Sequence, residues 1–295
     1  MIEEREWKEL QKLIQKGRKF IVASHRNTDG DAVGSLMAMA RYLDALGKER
    51  LVLSPDPVPM PYQFLDPENV IETYNAVKHR EAVLASDTWI CLDLNGPQRM
   101  ADLGDLVDEY EGTIACIDHH LEADHFAQLM IGHEEASSTG YLLGLFLEYV
   151  GVEWTEDLAV AVYTAMAADT GNFRFSNTDP DTFRMAARMV ERGANPSETY
   201  LHLYERWSWG RVQLLERVLG SLERHADGRL AILSAAQENL AATGCRPVDL
   251  EEFVNFGRII EGVEVSALVC ELEPNACKAS LRSAGRVDVA EVAQN

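Results

Sequence analysis

Near its start the chain reads Lys19-Phe-Ile-Val-Ala-Ser-His25-Arg-Asn-Thr-Asp29-Gly-Asp31. The apolar run that begins at Phe20 is short and bounded by polar residues, which is typical of a buried strand. The turn that follows carries one imidazole and two carboxylates, and Gly30 allows this turn to bend tightly. Because Asp29 and Asp31 are two residues apart, one carboxylate can face each of two neighbouring ions.

The sequence that follows this stretch predicts a parallel sheet. The spacing of apolar residues at 33–46 predicts a helix that ends at Gly47. The next apolar run, at 50–54, predicts a strand. A strand, a helix and a second strand in this order are typical of parallel sheets. Two more buried strands are predicted at 88–93 and 113–118, with a helix near 98–110 between them. We therefore expect an α/β fold, with a parallel sheet and helices on both faces.

The rest of the chain predicts many helices and then a smaller domain. An amphipathic helix is indicated by Trp7, Leu10, Leu13 and Ile14, and further helices are predicted at 138–150, 156–168, 180–193, 197–206 and 208–222. After residue 223 the pattern changes to short strands at 229–234, 263–272 and 277–283, with helices near 248–260 and from Asp288. We expect a catalytic domain at 1–195, a helical linker at 196–222 and an α+β domain at 223–295.

The composition restricts the classes of partner. The formal net charge is −21, and such a chain repels polyanions, so long nucleic acid is excluded as a partner. A short phosphorylated ligand remains compatible, because metal ions and a few arginines can reverse the potential inside one pocket. The five cysteines show no C-x-x-C spacing, and no apolar run reaches about 18 residues. These features predict a cytoplasmic protein with free thiols and no membrane association.

Three predicted strands end in residues that bind metals. His25 follows the first, Asp93 the third, and Asp118-His119-His120 the fourth. In an open parallel sheet such residues meet at the carboxyl ends of the strands. A fourth element, Asp169, follows an apolar helix. Each piece alone is more typical of a helix cap or an ordinary histidine, but carboxylates gathered in this way repel one another and cations relieve the repulsion. The mixed His and Asp set suits Mn²⁺, with Mg²⁺, Co²⁺ or Zn²⁺ as alternatives.

Two nearby segments have two interpretations each. Arg174 can bind a phosphate as a bidentate donor or form a surface salt bridge. The segment Ser137-Ser-Thr-Gly140 opens a helix, so its backbone N–H groups can bind an anion, although ordinary capping is the more common use.

The residues His25-x-x-x-Asp29-Gly-Asp31, Asp93, Asp118-His-His120 and Asp169 resemble the four motifs of the DHH phosphoesterases. Their order and spacing are most similar to the bacterial branch of oligoribonuclease and phosphoadenosine-phosphate (pAp) phosphatases, or nanoRNases. The resemblance implies two Mn²⁺ ions, with Asp93 and His120 as catalytic residues. One ion is expected on His25, Asp29 and Asp93, and the other on Asp31, Asp93, His119 and Asp169. Asp118 is expected to orient an imidazole.

The end of the chain resembles the substrate-binding DHHA1 domain of the same family. Lys278-Ala-Ser280-Leu-Arg282-Ser matches a strand whose arginine contacts the substrate, so Arg282 and Ser280 are expected to bind substrate, together with Arg174. The family continues into a glycine-rich Gly-Gly-Gly-His loop, and this sequence ends before that loop. We therefore expect weakened binding of nucleotides, while the metal site is unaffected.

The expected activity is Mn²⁺-dependent hydrolysis of short oligonucleotides to mononucleotides, in the manner of an exoribonuclease, and of pAp to AMP. Hydrolysis of linear or cyclic dinucleotides is an alternative, and hydrolysis of inorganic pyrophosphate ranks lower. An alternative from another class is a metal-dependent nucleotide-binding protein without turnover. Helices in the middle of the chain are compatible with a homodimer.

Overall fold

The computed structural model describes residues 4–120, 126–273 and 276–294. The chain divides into two compact units, Met1–Arg206 and Trp207–Asn295. The boundary falls inside the segment predicted as a helical linker. That segment contains helix α7 (Pro196–Tyr200), a π-helical turn (Leu201–Glu205) and helix α8 (Trp209–Gly220).

A six-stranded parallel sheet forms the centre of the first unit. The spatial order of its strands is β3-β2-β1-β4-β5-β6, and every neighbouring pair is parallel. Their bounds are β1 Lys19–Ala23, β2 Glu49–Ser54, β3 Ile71–Thr73, β4 Thr88–Leu92, β5 Thr113–Asp118 and β6 Leu129–Gly132. Strands β2 and β3 therefore extend the sheet on one side of β1, and strands β5 and β6 extend it on the far side of β4.

Helices cover both faces of this sheet. Phe20 and Val22 of β1 belong to the core on one face, whereas Ile21 and Ala23 belong to the core on the other face. This alternation follows from the period of two along a strand. The first face packs against helices α1 Glu4–Lys16, α2 Gly30–Ala45, α4 Thr139–Tyr149, α5 Glu156–Asp169 and α6 Pro180–Glu191, and the second packs against α3 Ala76–Leu84 and the 3₁₀ helix Pro97–Glu109. The predicted α/β class is confirmed.

Helix α2 begins earlier than its periodicity predicts. The side chain of Asp29 accepts hydrogen bonds from the backbone N–H groups of Asp31 and Ala32, which satisfies two donors of the first turn. The helix therefore starts at Gly30 rather than at Val33. Asp31 therefore lies in the first turn of this helix, where it is buried.

Several elements differ from the sequence prediction. The segment expected as a helix near 98–110 is a 3₁₀ helix, and it is interrupted at Ala101, where φ is 49°. Tight winding there brings a Cβ built on Gly104 to 2.0 Å from the carbonyl oxygen of Pro97, so glycine is required. The strands β3 and β6 were not predicted, because three and four residues are too short to show a period.

The second unit contains a four-stranded sheet of order β10-β9-β8-β7. Strands β8 and β9 are parallel, and the other two pairs are antiparallel. The bounds are β7 Glu223–His225, β8 Leu230–Ala235, β9 Val265–Glu273 and β10 Ala276–Ser283. A smaller core around Leu233, Phe253 and Leu268 joins this sheet to its helices. The smaller second sheet agrees with the expected α+β character.

The helices of the second unit only partly match the prediction. The prediction of a single helix near 248–260 is wrong. The chain instead forms a 3₁₀ turn (Pro247–Leu250) and a short helix α10 (Asn255–Arg258). Helix α9 (Gln237–Thr243) was not predicted, whereas the expected helix after Asp288 is present as α11 (Val289–Gln294). Among the helices described, none is both long enough and apolar enough to span a bilayer.

Candidate metal centre

The candidate site lies at the carboxyl ends of the central strands of the first unit. Strands β1 and β4 are neighbours in the sheet although they are not consecutive in the chain. Connections leave these two strands toward opposite edges of the sheet, which opens a crevice between their ends. His25 follows β1 and Asp93 follows β4, so the two residues stand on either side of this crevice.

His25, Asp29 and Asp93 form the first group of potential ligands. The Nε2 atom of His25 lies 3.3 Å from Oδ2 of Asp93 and 3.9 Å from Oδ1 of Asp29. The Nδ1 atom of His25 lies 2.8 Å from the carbonyl oxygen of Arg26, which can only accept, so Nδ1 carries the proton. The Nε2 atom is therefore the one that can bind a cation between the carboxylates once it has lost its proton.

Asp31, His119 and Asp169 form the second group. The Nε2 atom of His119 lies 3.8 Å from Oδ2 of Asp31, 3.5 Å from Oδ2 of Asp169 and 3.7 Å from Oδ1 of Asp93. The Nδ1 atom of His119 contacts the carbonyl oxygen of Ala136 at 3.3 Å, which again leaves Nε2 free. The second imidazole thus has the same tautomer as the first.

Asp93 links the two groups. Its Oδ2 atom faces His25 of the first group, and its Oδ1 atom faces His119 of the second. The residue is 2% exposed and has a φ of 59°, a left-handed conformation that is uncommon outside glycine. The backbone is thus held in an unfavourable conformation that directs one carboxylate between the two groups.

His120 stands beside this arrangement. Its Nδ1 atom is 2.6 Å from Oδ1 of Asp118 and 3.8 Å from Oδ1 of Asp93. The hydrogen bond to Asp118 raises the pKa of His120, while partial burial and the positive charge of Arg99 oppose that rise. Asp118 therefore has the geometry expected of a residue that orients an imidazole.

The electrostatics of the site favour bound cations. Burial raises the pKa of Asp31 well above its ordinary value, and the neighbouring carboxylates of Asp93 and Asp169 raise it further. Burial likewise raises the pKa of Asp169 to about 6. Burial opposes protonation of His25, but its hydrogen bond and charge interaction with Asp93 raise its pKa to about 8. Without a metal, the site therefore retains protons on carboxylates and imidazoles. Divalent cations can replace these protons, because they bind to the same oxygen and nitrogen atoms.

The start of helix α4 holds the second group together. The backbone N–H groups of Thr139 and Gly140 donate to the two oxygens of Asp31, at 2.7 and 2.8 Å. The hydroxyl of Thr139 also donates to Oδ1 of Asp93 at 3.2 Å, and the hydroxyl of Ser35 donates to Asp31. A Cβ on Gly140 would lie 2.2 Å from Cβ of Ala165, so only glycine fits there. The two donors considered for an anion thus bind a carboxylate of the protein itself.

Thr139 and Asn177 are site residues that the sequence analysis did not identify. The side-chain amide of Asn177 donates to the carbonyl oxygen of Ser137 at 2.9 Å and to that of Asp169 at 3.3 Å. It therefore ties the end of helix α5 to the start of helix α4. The only sequence signal for Thr139 is its place in the Ser137–Gly140 segment, and no signal marks Asn177.

The residues expected to bind substrate belong to a turn of the first unit and to a strand of the second. Arg174 is on the exposed turn after α5, where its guanidinium carbon is 5.2 Å from the centre of the Phe175 ring. Within the described residues it forms no ion pair. Ser280 and Arg282 belong to β10 of the second unit and share one face of that strand, because they are two residues apart. Arg282 is exposed, and its guanidinium donates to the carbonyl oxygen of Leu281.

Comparison with known proteins agrees with this arrangement. The profile described as "DHH family, N-terminal domain" matches residues 19–167, which is about half of the chain. The "Bifunctional oligoribonuclease and PAP phosphatase NrnA" of Thermus thermophilus is 32% identical over 272 residues, covering 92% of this chain and 78% of that protein. The "Cyclic-di-AMP phosphodiesterase PdeA" of Listeria monocytogenes is 24% identical over 294 residues, covering 95% of this chain and 43% of that protein.

A solved structure extends the similarity to the whole chain. The crystal structure of an exopolyphosphatase-related protein from Bacteroides fragilis superposes with a TM-score of 0.94 at 26% identity. The match covers 100% of this chain and 88% of that one. The resemblance found in the sequence motifs is confirmed by the family profile and by the NrnA relative. The chain therefore belongs to the DHH family of phosphoesterases.

Proposed function

We propose that the protein is a two-metal phosphoesterase that hydrolyses short oligonucleotides to mononucleotides and 3′-phosphoadenosine-5′-phosphate to AMP. The observation that carries this proposal is the position of Asp93, which presents one oxygen to each group of ligands. The similarity to an oligoribonuclease and PAP phosphatase over 92% of the chain supports the choice of substrate.

We assign the ligands of two Mn²⁺ ions to the six side chains of the two groups. His25, Asp29 and Asp93 would hold one ion, and Asp31, Asp93, His119 and Asp169 the other. Mixed carboxylate and imidazole donors suit Mn²⁺, and Mg²⁺, Co²⁺ or Zn²⁺ are chemically compatible. When bound, such ions supply a water molecule of lowered pKa and neutralise charge on the phosphoryl group.

His120 is the residue of this chain that we assign to proton transfer. Its Nδ1 atom is held by Asp118 at 2.6 Å, which fixes the ring and favours the doubly protonated imidazole. The Nε2–H group of that ring can then donate a proton to the leaving oxygen as the ester bond breaks. Asp118 is a positioning residue in this scheme, because it acts through His120.

Contacts with the rest of the substrate are assigned to three residues outside this cluster. Arg174 offers a guanidinium without an ion pair among the described residues, and Arg282 and Ser280 offer a cation and a hydroxyl on one face of β10. A guanidinium matches a phosphate as a bidentate donor. These residues would add affinity and selectivity rather than drive the hydrolysis.

Hydrolysis of cyclic or linear dinucleotides is a second candidate activity. It is favoured by the similarity to a cyclic-di-AMP phosphodiesterase, which extends over 95% of this chain. A cyclic dinucleotide has no free end, so an enzyme that requires a terminal nucleotide cannot cleave it. Cleavage of a cyclic dinucleotide therefore separates the two candidates, whereas a linear dinucleotide is a substrate of both.

The test is a substrate panel with product analysis. The Mn²⁺-loaded protein is incubated with a 5′-labelled linear dinucleotide, with pAp and with cyclic di-AMP, and the products are separated by chromatography. We expect mononucleotide from the dinucleotide and AMP from pAp. A chelator and the Asp93→Ala variant should each abolish turnover.

The set of substrates cleaved distinguishes the two candidate activities from each other and from binding without turnover. Cleavage of cyclic di-AMP with no action on pAp would favour the second candidate. A protein that binds Mn²⁺ but cleaves none of the three substrates would contradict both activities and indicate a nucleotide-binding protein without turnover. Cleavage that survives Asp93→Ala would refute the two-metal site.

A further inference from the structure

A tyrosine lies at the edge of the candidate metal centre. Tyr62 belongs to a 3₁₀ helix (Met60–Leu65) that follows strand β2. A Cβ built on Gly30 would lie 2.9 Å from Cε1 of Tyr62 and 2.5 Å from Cβ of Ala168, so the ring can approach this closely only because Gly30 has no side chain. The ring and Ala168 therefore meet over Gly30, which directly follows Asp29 in the chain.

These contacts put the ring on the open side of the site. Among the six ligand residues of the two groups, Asp29 and Asp169 have the most exposed side chains, at 49% and 30%. The other four side chains are 13% exposed or less. A ligand from solvent therefore reaches the site where Asp29 and Asp169 are open. Gly30 and Ala168 are the chain neighbours of these two aspartates, so Tyr62 borders that approach.

The backbone and the core hold Tyr62 in this position. Its N–H donates to the carbonyl oxygen of Pro59 at 2.9 Å, and its ring packs against the core on the first face of the sheet. The loop before the 3₁₀ helix is also tied to the loop after β1, because the backbone N–H of Asn27 donates to Oδ2 of Asp56 at 2.6 Å. The ring is therefore in place before a ligand binds, which lowers the entropic cost of binding.

The chemistry of the ring matches a nucleobase. Tyr62 is only partly buried, so part of its surface is accessible to a ligand. A neutral aromatic ring beside several carboxylates does not attract a phosphate, but it offers a flat apolar surface. Proteins bind unpaired bases by stacking them on such rings. The phosphate and the base of one nucleotide would then be bound by different parts of the site.

We propose that Tyr62 stacks on the nucleobase of the nucleotide whose phosphate is bound at the candidate metal centre. This inference rests on the proposed function, and it adds a residue that selects nucleotides over phosphate esters without a base. The base takes no part in the reaction, so the stack contributes equally in the ground state and in the transition state. Loss of the ring should therefore appear in KM rather than in kcat.

The experiment compares the binding of AMP and of ribose 5-phosphate to the Mn²⁺-loaded protein by calorimetry. Both probes have a ribose and a phosphate, but only AMP has a base. The variants are Tyr62→Leu, which removes the ring, and Tyr62→Phe, which keeps it. Phe64→Leu is the matched control, because Phe64 belongs to the same 3₁₀ helix but stacks on His202, with ring centres 4.1 Å apart.

We expect Tyr62→Leu to weaken AMP binding about 10- to 100-fold and to leave binding of ribose 5-phosphate unchanged. Tyr62→Phe and Phe64→Leu should bind both probes as the wild type does. Unchanged AMP affinity in Tyr62→Leu would overturn the proposal. An equal loss for both probes would overturn it as well, because it would indicate a purely structural role. A wild type that binds AMP no more tightly than ribose 5-phosphate would also overturn it, and that result needs no variant to fold.

Binding of Mn²⁺ and turnover of the dinucleotide are measured in parallel. Mn²⁺ affinity should be unchanged in Tyr62→Leu, and a loss of it would contradict the proposal, since Tyr62 would then act through the ligands. An inactive wild type whose AMP binding depends on Tyr62 would refute the proposed function and leave this inference standing. An active enzyme in which Tyr62→Leu leaves KM unchanged would refute this inference alone.

Discussion

The two units of the chain place their charged candidate site residues in opposite environments. In the first unit, Asp31 and Asp93 are 1% and 2% exposed and lie among further carboxylates and imidazoles. In the second unit, Lys278 and Arg282 are exposed on β10, which is an edge strand. Water solvates the second pair of residues, whereas the first pair depends on compensating charges supplied by protons or cations.

This difference separates charged residues that depend on compensation inside the protein from charged residues that water compensates. Buried carboxylates destabilise a protein unless hydrogen bonds, protons or cations compensate them, and a cluster of several favours a bound cation. Exposed cations cost little and can be changed with small effects on folding. Substitutions in the two units should therefore differ strongly in the size and kind of their effects.

The largest effect is expected from Asp31→Asn. Asp31 lies in the second group and accepts hydrogen bonds from Thr139, Gly140 and Ser35. Loss of its charge should reduce Mn²⁺ binding from two ions to one and lower turnover by about 10³-fold, because metal catalysis contributes several kcal/mol. Turnover assays and metal analysis of the purified variant test this expectation.

The matched control for Asp31→Asn is Asp44→Asn. Asp44 is another aspartate of helix α2, but it pairs with Arg50 at the surface. It should retain both ions and full activity. Two bound ions in Asp31→Asn would contradict the assignment of the second group.

Removal of metal should lower the thermal stability of the protein. Each ion present at about 100 times its Kd stabilises the folded state by about 2.7 kcal/mol, which corresponds to about 5–10 °C in Tm per ion for a unit of this size. The measurement is thermal unfolding with and without a chelator. An unchanged Tm would mean that the buried carboxylates need no cation.

The metal-free protein should also respond to pH through Asp169. The pKa of Asp169 in the folded state is about 6, which is above its ordinary value, so the folded state retains a proton that the unfolded chain releases. The free energy of unfolding should therefore fall as pH rises from about 4 to about 6. Asp169→Asn cannot release this proton, so its metal-free form should lack this part of the pH dependence.

A smaller effect is expected from Thr139→Val. This change removes the hydroxyl that donates to Oδ1 of Asp93 but retains the backbone N–H that donates to Asp31. Mn²⁺ affinity should fall about 10- to 100-fold, as is usual for residues that orient ligands. Calorimetric titration measures this change. Thr139→Ser keeps the hydroxyl and should stay close to the wild type, and an equal loss in both variants would argue against the hydrogen bond.

The smallest effect is expected from Arg282→Ala in the second unit. An exposed guanidinium contributes little free energy, so KM for the dinucleotide should rise about two- to fivefold, with Mn²⁺ binding unchanged. Lys278→Ala on the same strand is the matched control. A loss of activity comparable to that of Asp31→Asn would remove the contrast between the two units.

The parallel sheet of the first unit and the proximity of its candidate ligands were predictable from the sequence. A topological rule places the ends of parallel strands at one edge, so His25, Asp93 and His119 had to approach one another wherever the strands formed. The second unit obeys no comparable rule. The helix predicted near 248–260 is replaced by a 3₁₀ turn and a short α-helix. The roles expected for Arg282 and Ser280 depend on the resemblance to the family alone.

The supporting contacts were not predictable for a different reason. Thr139 and Asn177 act through hydrogen bonds whose partners include residues distant in sequence, and their residue types are common on any surface. A periodic pattern reports which face of an element is buried, but it does not report which polar group lies opposite. Only the packed structure shows that the start of α4 is directed at Asp31.

The hydrogen bonds from α4 to Asp31 also have a kinetic meaning. They join residues that are 108 and 109 positions apart, so a large loop must close before they form. A chain emerging from the ribosome has made the residues of the first group by Asp93, but it has to grow to Asp169 before the second is complete. The second group of ligands therefore assembles only after helix α5 has been made and has packed against α2.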